Sequence, residues 1–319
     1  MFERVSAFRP LHVVFLLFGL GFLGAILWQI DLNAVVRHVG AVGWGIVAIL
    51  AVYMAAFLAD TASWRFVILR ERLKGLSFLT LWKIRMVGAA VNRVTPVVGL
   101  AGEPVKAILL RRYHGIDYRE GVASLVVAKT ANLIALVIFL TGGLGLALAT
   151  DSLPKGYKWG AIAALGVLTI GTLVLFLVQR LRLSSAAASW LAEQRFGRRL
   201  AKVIQQIHEL DHRLVESYTR DRRRFVVAVM LTFANWALGA VELWVTLWLV
   251  GYPITMAEAW VVDAAVELVR AATFFIPASI GTLEAALVLM IGHITGQPSL
   301  GLAVAVIRRF REIVWIVWG

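Results

Sequence analysis

A chain of 319 residues is long enough for two soluble domains, but 60% of its residues are hydrophobic, 16% are charged and its mean hydropathy is +0.81, against roughly 25% charged in soluble domains. The formal net charge of +13 sits mostly in loops between apolar stretches, where basic residues mark the cytoplasmic face of a membrane protein, so it does not point to nucleic acid. The absence of cysteine excludes disulfides and thiolate metal sites.

Apolar stretches of about twenty residues recur from end to end, the length that crosses a bilayer as a helix. After a short charged start, Leu11–Ile30 is too long and lacks the cleavage site of a signal peptide, so it is expected to be a first span. Asp31, Asn33, Arg37 and His38 read as a polar connection. A second span is expected over Val42–Ala59, closing at Asp60, Trp64 and Arg65. A basic segment follows with Arg70, Arg72, Lys74, Lys83 and Arg85. Met86–Leu100 and Val105–Leu110 are each too short to cross about 30 Å of hydrocarbon at 1.5 Å per residue. Pro96 and Gly99 separate them, one lacking a donor and the other freeing the backbone, so a re-entrant hairpin is expected here. It leaves by the side it entered, at Arg111 and Arg112.

Gly121–Thr150 is long enough to span with some tilt and carries Lys129. Asp151 to Lys158 is a turn, and residues 159–178 span again. Residues 180–224 hold eleven Lys or Arg residues. Leu200, Val203, Ile204, Ile207, Leu210 and Leu214 recur there at helical spacing, the pattern of a cytoplasmic amphipathic helix lying on the membrane or against the bundle. Residues 225–250 span with Glu242 inside. Residues 257–276 and 281–296 flank a second break, and a closing helix from Leu300 carries Arg308, Arg309, Arg311 and Glu312. The opposite side of the membrane holds Arg37, Lys155 and Lys158, far fewer cations. The positive-inside rule therefore places the N-terminus in the cytoplasm.

The chain repeats itself. Residues 96–103 run from Pro96 through Gly99 to Glu103, and residues 277–284 run from Pro277 through Gly281 to Glu284. Downstream, Gly121, Lys129 and Asn132 match Gly301, Arg309 and Glu312 at identical offsets. Upstream, Trp64 stands as far before Gly121 as Trp244 stands before Gly301. The expected architecture is an all-α polytopic membrane protein, a single integral membrane domain over residues 1–319. It holds two inverted-topology repeats, about 42–150 and 225–319, each with a broken re-entrant hairpin. Internal symmetry of this kind suits alternating access around a midplane site.

Irregular backbone at membrane depth is tolerated only where it is buried in protein or lines a polar cavity, so the two breaks predict a central cavity. Glu103 and Glu284 fall in the first turn after each break. There they offset the helix dipole or pair with intramembrane cations. Lys129, Arg308, Arg309 and Arg311 each lie well inside an apolar helix, where a cation costs about 2.5–3.5 kcal/mol. Glu312 is within reach of Arg308 and Arg309 along the helix, with Glu103, Glu284, Asp263 and Glu267 as more distant partners. Such cations form structural ion pairs, or they receive an anionic lipid phosphate. Asn92, Arg93, Lys106 and Arg270 flank the breaks, with Lys106 read as an interfacial headgroup contact. Asp60 and Glu242 are read first as packing partners.

Enzyme signatures are thin. The histidines are scattered, and His208 and His212, the one i,i+4 pair, lack an HExxH context. No P-loop or nucleophile elbow is present, and no cofactor is expected.

At three places the chain resembles the transmembrane region of lysylphosphatidylglycerol synthases and their stand-alone, flippase-like relatives. These are Asn92-Arg93-Val94-Thr95-Pro96 with Gly102-Glu103-Pro104-Val105-Lys106, Pro277 to Ala285, and the closing helix with Arg308 and Arg309. The stand-alone length is similar to the branch associated with hopanoid biosynthesis. In the fused synthases a soluble domain performs aminoacyl transfer. This sequence carries none, so the resemblance implies the lipid-translocating half.

The resulting expectation is a transporter or flippase in the bacterial inner membrane, moving a hopanoid or an anionic or aminoacylated phospholipid between leaflets. The expected path is Asn92, Arg93, Pro96, Gly99, Glu103, Lys129, Pro277, Gly281, Glu284, Arg308, Arg309 and Glu312. Its partners would be membrane lipids and, through residues 180–224, lipid-synthesis enzymes, with no nucleic acid. Two rivals stand beside it: an integral-membrane enzyme acting on a lipid headgroup, and a scaffold for lipid-synthesis enzymes.

Overall fold

The computed structural model describes residues 30–68, 75–94, 101–149, 155–180, 221–273 and 276–319, with isolated positions between residues 19 and 28 and at Leu73. Most of the expected first span, Pro96, Gly99 and nearly all of the expected amphipathic segment lie outside these residues. Every described element is helical. Among the described residues, four stretches are long and apolar enough to cross a membrane: Leu32–Val67, Tyr118–Ala149, Trp159–Leu177 and Arg222–Leu249. This is a multi-pass membrane architecture.

Ten helices follow one another among the described residues: α1 (Leu32–Val42), α2 (Ile46–Val67), α3 (Phe78–Val94), α4 (Gly102–His114), α5 (Tyr118–Ala149), α6 (Lys155–Arg180), α7 (Arg222–Leu249), α8 (Met256–Ala272), α9 (Thr282–Thr295) and α10 (Pro298–Trp318). The polar residues after Ile30 do not form an open connection. Asp31 caps α1 by accepting the Asn33 N–H at 2.9 Å, and α1 buries Val35 and Val42 while exposing Asn33 and Arg37. The second span also differs from its expected end. It continues two turns past Asp60, because Asp60 finds a partner in Arg85 inside the protein and Ser63 and Trp64 are buried beyond it. Arg85 is correspondingly not a loop residue but lies two turns inside α3.

Two apolar clusters mark opposite ends of the bundle. One gathers Trp64 of α2 and Ile68 just after it, Leu81 and Ile84 of α3, Ala107 and Leu110 of α4, and Leu125 of α5. The other joins Ile49 of α2, Ala147 of α5, Leu243 and Leu247 of α7, Val261 of α8, Ile291 of α9 and Leu300 of α10. Exposed Trp44, Trp159 and Trp248 ring this second end, as indoles do at a membrane interface.

α2 and α7 lie antiparallel at the centre. Near one end the Ser63 hydroxyl donates to the Ala228 carbonyl at 2.9 Å and receives the Thr232 hydroxyl at 2.7 Å. Near the other, Gly45 meets the Leu249 side chain. The last carbonyls of a helix lack partners. Arg224 of α7 supplies them for α2, donating to Phe66, Arg65 and Ile68 carbonyls at 2.9, 3.0 and 3.0 Å.

The helices after α2 and after α7 correspond. The step along the chain from Gly102 to Thr282 equals the step from Tyr118 to Pro298, and those four residues start α4, α9, α5 and α10. Two glycines separated by that same step make equivalent contacts. Gly121 of α5 packs on Ala107 of α4, and Gly301 of α10 packs on Leu287 of α9. A Cβ at Gly301 would stand 2.5 Å from the Leu287 carbonyl oxygen, whereas one at Gly145 would meet nothing within 4 Å. Gly301→Ala is therefore expected to destabilise the protein by about 1–3 kcal/mol through overpacking. Gly145→Ala is expected to be neutral or stabilising by up to ~1 kcal/mol. Thermal unfolding of the two variants in one detergent tests the difference.

Candidate functional site

Seven helices, α2–α5, α7, α8 and α10, enclose a cavity of about 350 Å³. Its wall carries six cations, Arg85, Lys106, Lys129, Arg270, Arg308 and Arg311, and six carboxylates, Asp60, Glu103, Glu242, Asp263, Glu267 and Glu312. Charges in apolar surroundings must be paired or face water, and most of these are paired. Arg85 meets Asp60. Lys106 donates to Glu103 at 2.8 Å and lies 6.0 Å from the Trp64 ring centroid. Arg308 donates to Asp263 at 2.6 Å. Arg311 donates to Glu242 and stacks over Tyr53 at 4.0 Å. Arg270 lies 3.2 Å from Glu267.

Lys129 is the exception. It is exposed, it lines the cavity, and among the described residues it has neither hydrogen bond nor ion pair. α5 places it eleven residues from Tyr118, about 17 Å along the axis, so an unpaired ammonium stands about a third of the way along a membrane-spanning helix. The wall is also short of acceptors. Among the described lining residues, Arg85, Arg308 and Arg311 each leave a buried Nε without a hydrogen bond, as does the Trp236 indole N–H. The single orphan acceptor there is Glu242 Oε1.

A second construction lies beside the cavity, at the break between α8 and α9. Pro277–Ser279 form a single tight turn, in which Ala278 and Ser279 adopt φ of 51° and 48°. Such conformations cost about 1–3 kcal/mol in non-glycine residues and persist only when their surroundings enforce them. The enforcing groups are visible. Glu284 accepts the Gly281 N–H at 2.7 Å, capping α9. Gly281 itself sits at φ 83°, where a side chain would be strained. Arg309 donates to the other Glu284 oxygen at 2.7 Å, to Glu312 at 3.0 Å and to the Ala278 carbonyl at 3.2 Å. The planar guanidinium fork serves three acceptors at once.

The structure thus divides the expected path. Asn92, Glu103, Lys129, Arg308 and Glu312 line the cavity. Gly281, Glu284 and Arg309 build the turn beside it, and Pro277 opens that turn. Arg93 belongs to α3, and its side chain lies outside the described residues, as do Pro96 and Gly99. The two glutamates play different parts. Glu284 caps its helix, whereas Asn92 Oδ1 accepts the Gly102 N–H at 2.6 Å and Glu103 turns to Lys106. Lys106 is not an interfacial contact, being buried with its ammonium on Glu103. Arg308 pairs across to α8 rather than with Glu312, and Arg311 does not reach for an interface.

Asp60, Arg85 and Glu242 belong to the cavity and were not among its expected residues. The signal was present for two of them. Asp60 and Glu242 are carboxylates inside apolar stretches, which is itself a functional pointer. Arg85 was masked by the basic run before it.

Residues 12–319 match the family model of the lysylphosphatidylglycerol synthase TM region. Comparison with curated proteins and with solved structures finds no match.

The Arg311–Glu242 pair is the most deeply buried of the set, with side chains 8% and 2% exposed. Removing one partner of such a pair leaves an uncompensated charge, which costs about 3–5 kcal/mol, while replacing both by apolar groups is close to neutral. Arg311→Met is expected to lower thermal stability sharply, and Arg311→Met combined with Glu242→Leu to recover most of it. Melting curves of the two single variants and the double variant check this.

Proposed function

We propose that this chain, which belongs to the lysylphosphatidylglycerol synthase TM region family, moves a lipid with an anionic, phosphate-bearing headgroup between the leaflets of the bacterial inner membrane. The observation that carries the reading is Lys129, an unpaired ammonium facing a charged cavity inside the membrane domain. A phosphate oxygen supplies what the wall lacks. It neutralises Lys129, and it brings acceptors to a site whose unmet groups are almost all donors.

The architecture supports translocation. α3 and α4, at 17 and 13 residues, and α8 and α9, at 17 and 14, fall short of about 30 Å at 1.5 Å per residue. Each pair returns to the end from which it entered, so we read both as re-entrant hairpins. Equivalent helices α2 and α7 run antiparallel, which suits an inverted repeat, with residues of both halves around one cavity as in alternating-access transporters. Arg65, Arg111, Arg112, Arg119 and Arg222–Arg224 gather at the end opposite Trp44 and Trp248, so we place that end in the cytoplasm. In this reading Arg309 and Glu284 hold the broken backbone, Arg308 and Arg311 form the fixed wall, and Lys129 receives the headgroup.

Purified protein in proteoliposomes with fluorescent phosphatidylglycerol is expected to speed leaflet exchange without altering lipid mass. Lys129→Ala should slow it about ten-fold, the worth of one charge-assisted hydrogen bond, and Lys129→Arg should retain most of it. Exchange of a hopanoid but not of phosphatidylglycerol would remove the headgroup role. A lipid changed in mass would favour the enzyme.

A further inference from the structure

A second cavity, of about 300 Å³, lies between α5, α6, α8 and α9. Every residue lining it is Leu, Val, Ala, Gly or Met, so it offers water none of the two to four polar partners that an ordered molecule needs. Small residues on facing helices, Gly160 and Ala164 of α6 and Ala265 of α8, line the space, and a Cβ at Gly160 would meet nothing within 4 Å. α8 separates the two cavities. At 100° per residue, Asp263, Glu267 and Arg270 share the face toward the charged cavity, while Ala265, Leu268 and Ala272 lie on the opposite face.

The occupant follows from the surroundings. α6 rests on α5 and α8, and only 11% of its membrane-length stretch is buried, so its outer face meets lipid. Leu289 of α9, at the cavity edge, is 53% exposed, so the mouth opens on that surface. The volume is about twice that of the roughly 150 Å³ apolar cavity known to take benzene, which is room for about a dozen carbons. We infer that this cavity seats the hydrocarbon tail of a membrane lipid. The seat does not depend on which headgroup, if any, enters the charged cavity.

The test uses the full chain in nanodiscs containing phosphatidylglycerol with a diazirine near the end of one acyl chain. After photolysis, adducts are mapped by mass spectrometry. They are expected to concentrate on the cavity-lining residues of α6, α8 and α9 rather than on the outer face of α2 around Val47. Ala164→Trp and Ala265→Phe, which fill the space from different walls, should each reduce those adducts at least about five-fold, because a close-packed interior leaves no room for both. Adducts around Val47 should stay unchanged, which also reports that the variants are folded. Adducts spread evenly over all lipid-facing surfaces in the unaltered protein would overturn the inference, as would adducts that persist in a folded, filled variant. Adducts lost in Lys129→Ala would overturn it as well, by making the tail site an appendage of the headgroup site. Adducts kept in that variant while exchange fails would leave the tail seat standing without the headgroup reading.

Discussion

Three arginines on one helix hold the second half of this protein together. Arg308, Arg309 and Arg311 of α10 each reach a carboxylate on a different helix: Asp263 of α8, Glu284 of α9 and Glu242 of α7. In an apolar surrounding none of these charges can be left alone. The position of α10 therefore decides where three other helices stand, and they decide where it stands. The charged cavity is largely a by-product of this arrangement, since its wall is built from charges already committed to each other. What remains uncommitted lies on α5, outside the network.

That contrast appears at equivalent points of the two halves. Lys129 follows Gly121 at the same offset as Arg309 follows Gly301. Arg309 is fixed by two carboxylates and a carbonyl and enforces a strained turn. Lys129 is bound to nothing in the described protein. The difference in residue type suits the tasks proposed for the two. A guanidinium is a rigid fork suited to several fixed acceptors, and an ammonium is a mobile point charge suited to a guest that comes and goes. α8 shows a similar division across one helix, with carboxylates toward the charged cavity and alanines toward the apolar one.

Much of this was legible along the chain. The membrane class, the long spans and the helices on either side of Pro277 all rest on local composition and spacing. Glu284 was readable as a helix-start carboxylate because such a residue acts on its own helix. The misreadings share a cause. Arg85 reads as part of a basic connection, and Asp60 as the end of its span, though also as a packing partner, since a charge beside an apolar run ordinarily faces water. Each is drawn partly out of water because the other is there, and no local pattern announces a partner on another helix. The same holds for Lys106, whose partner Glu103 was visible one turn before it but whose burial against Trp64 was not.

The sequence by itself determined that the chain lives in a membrane, that it is helical, and that its backbone breaks where Pro277 and Gly281 stand. Hydropathy, helical period and backbone stereochemistry act over a few residues, and the chain order preserves them. Only the tertiary structure decided which charge meets which. It alone separated Lys129 from Arg309, drew Asp60 and Glu242 into the cavity wall, and opened an apolar space behind α8. Pairing energies depend on distance and on exclusion of water, and both are set by how helices far apart in sequence come to lie side by side.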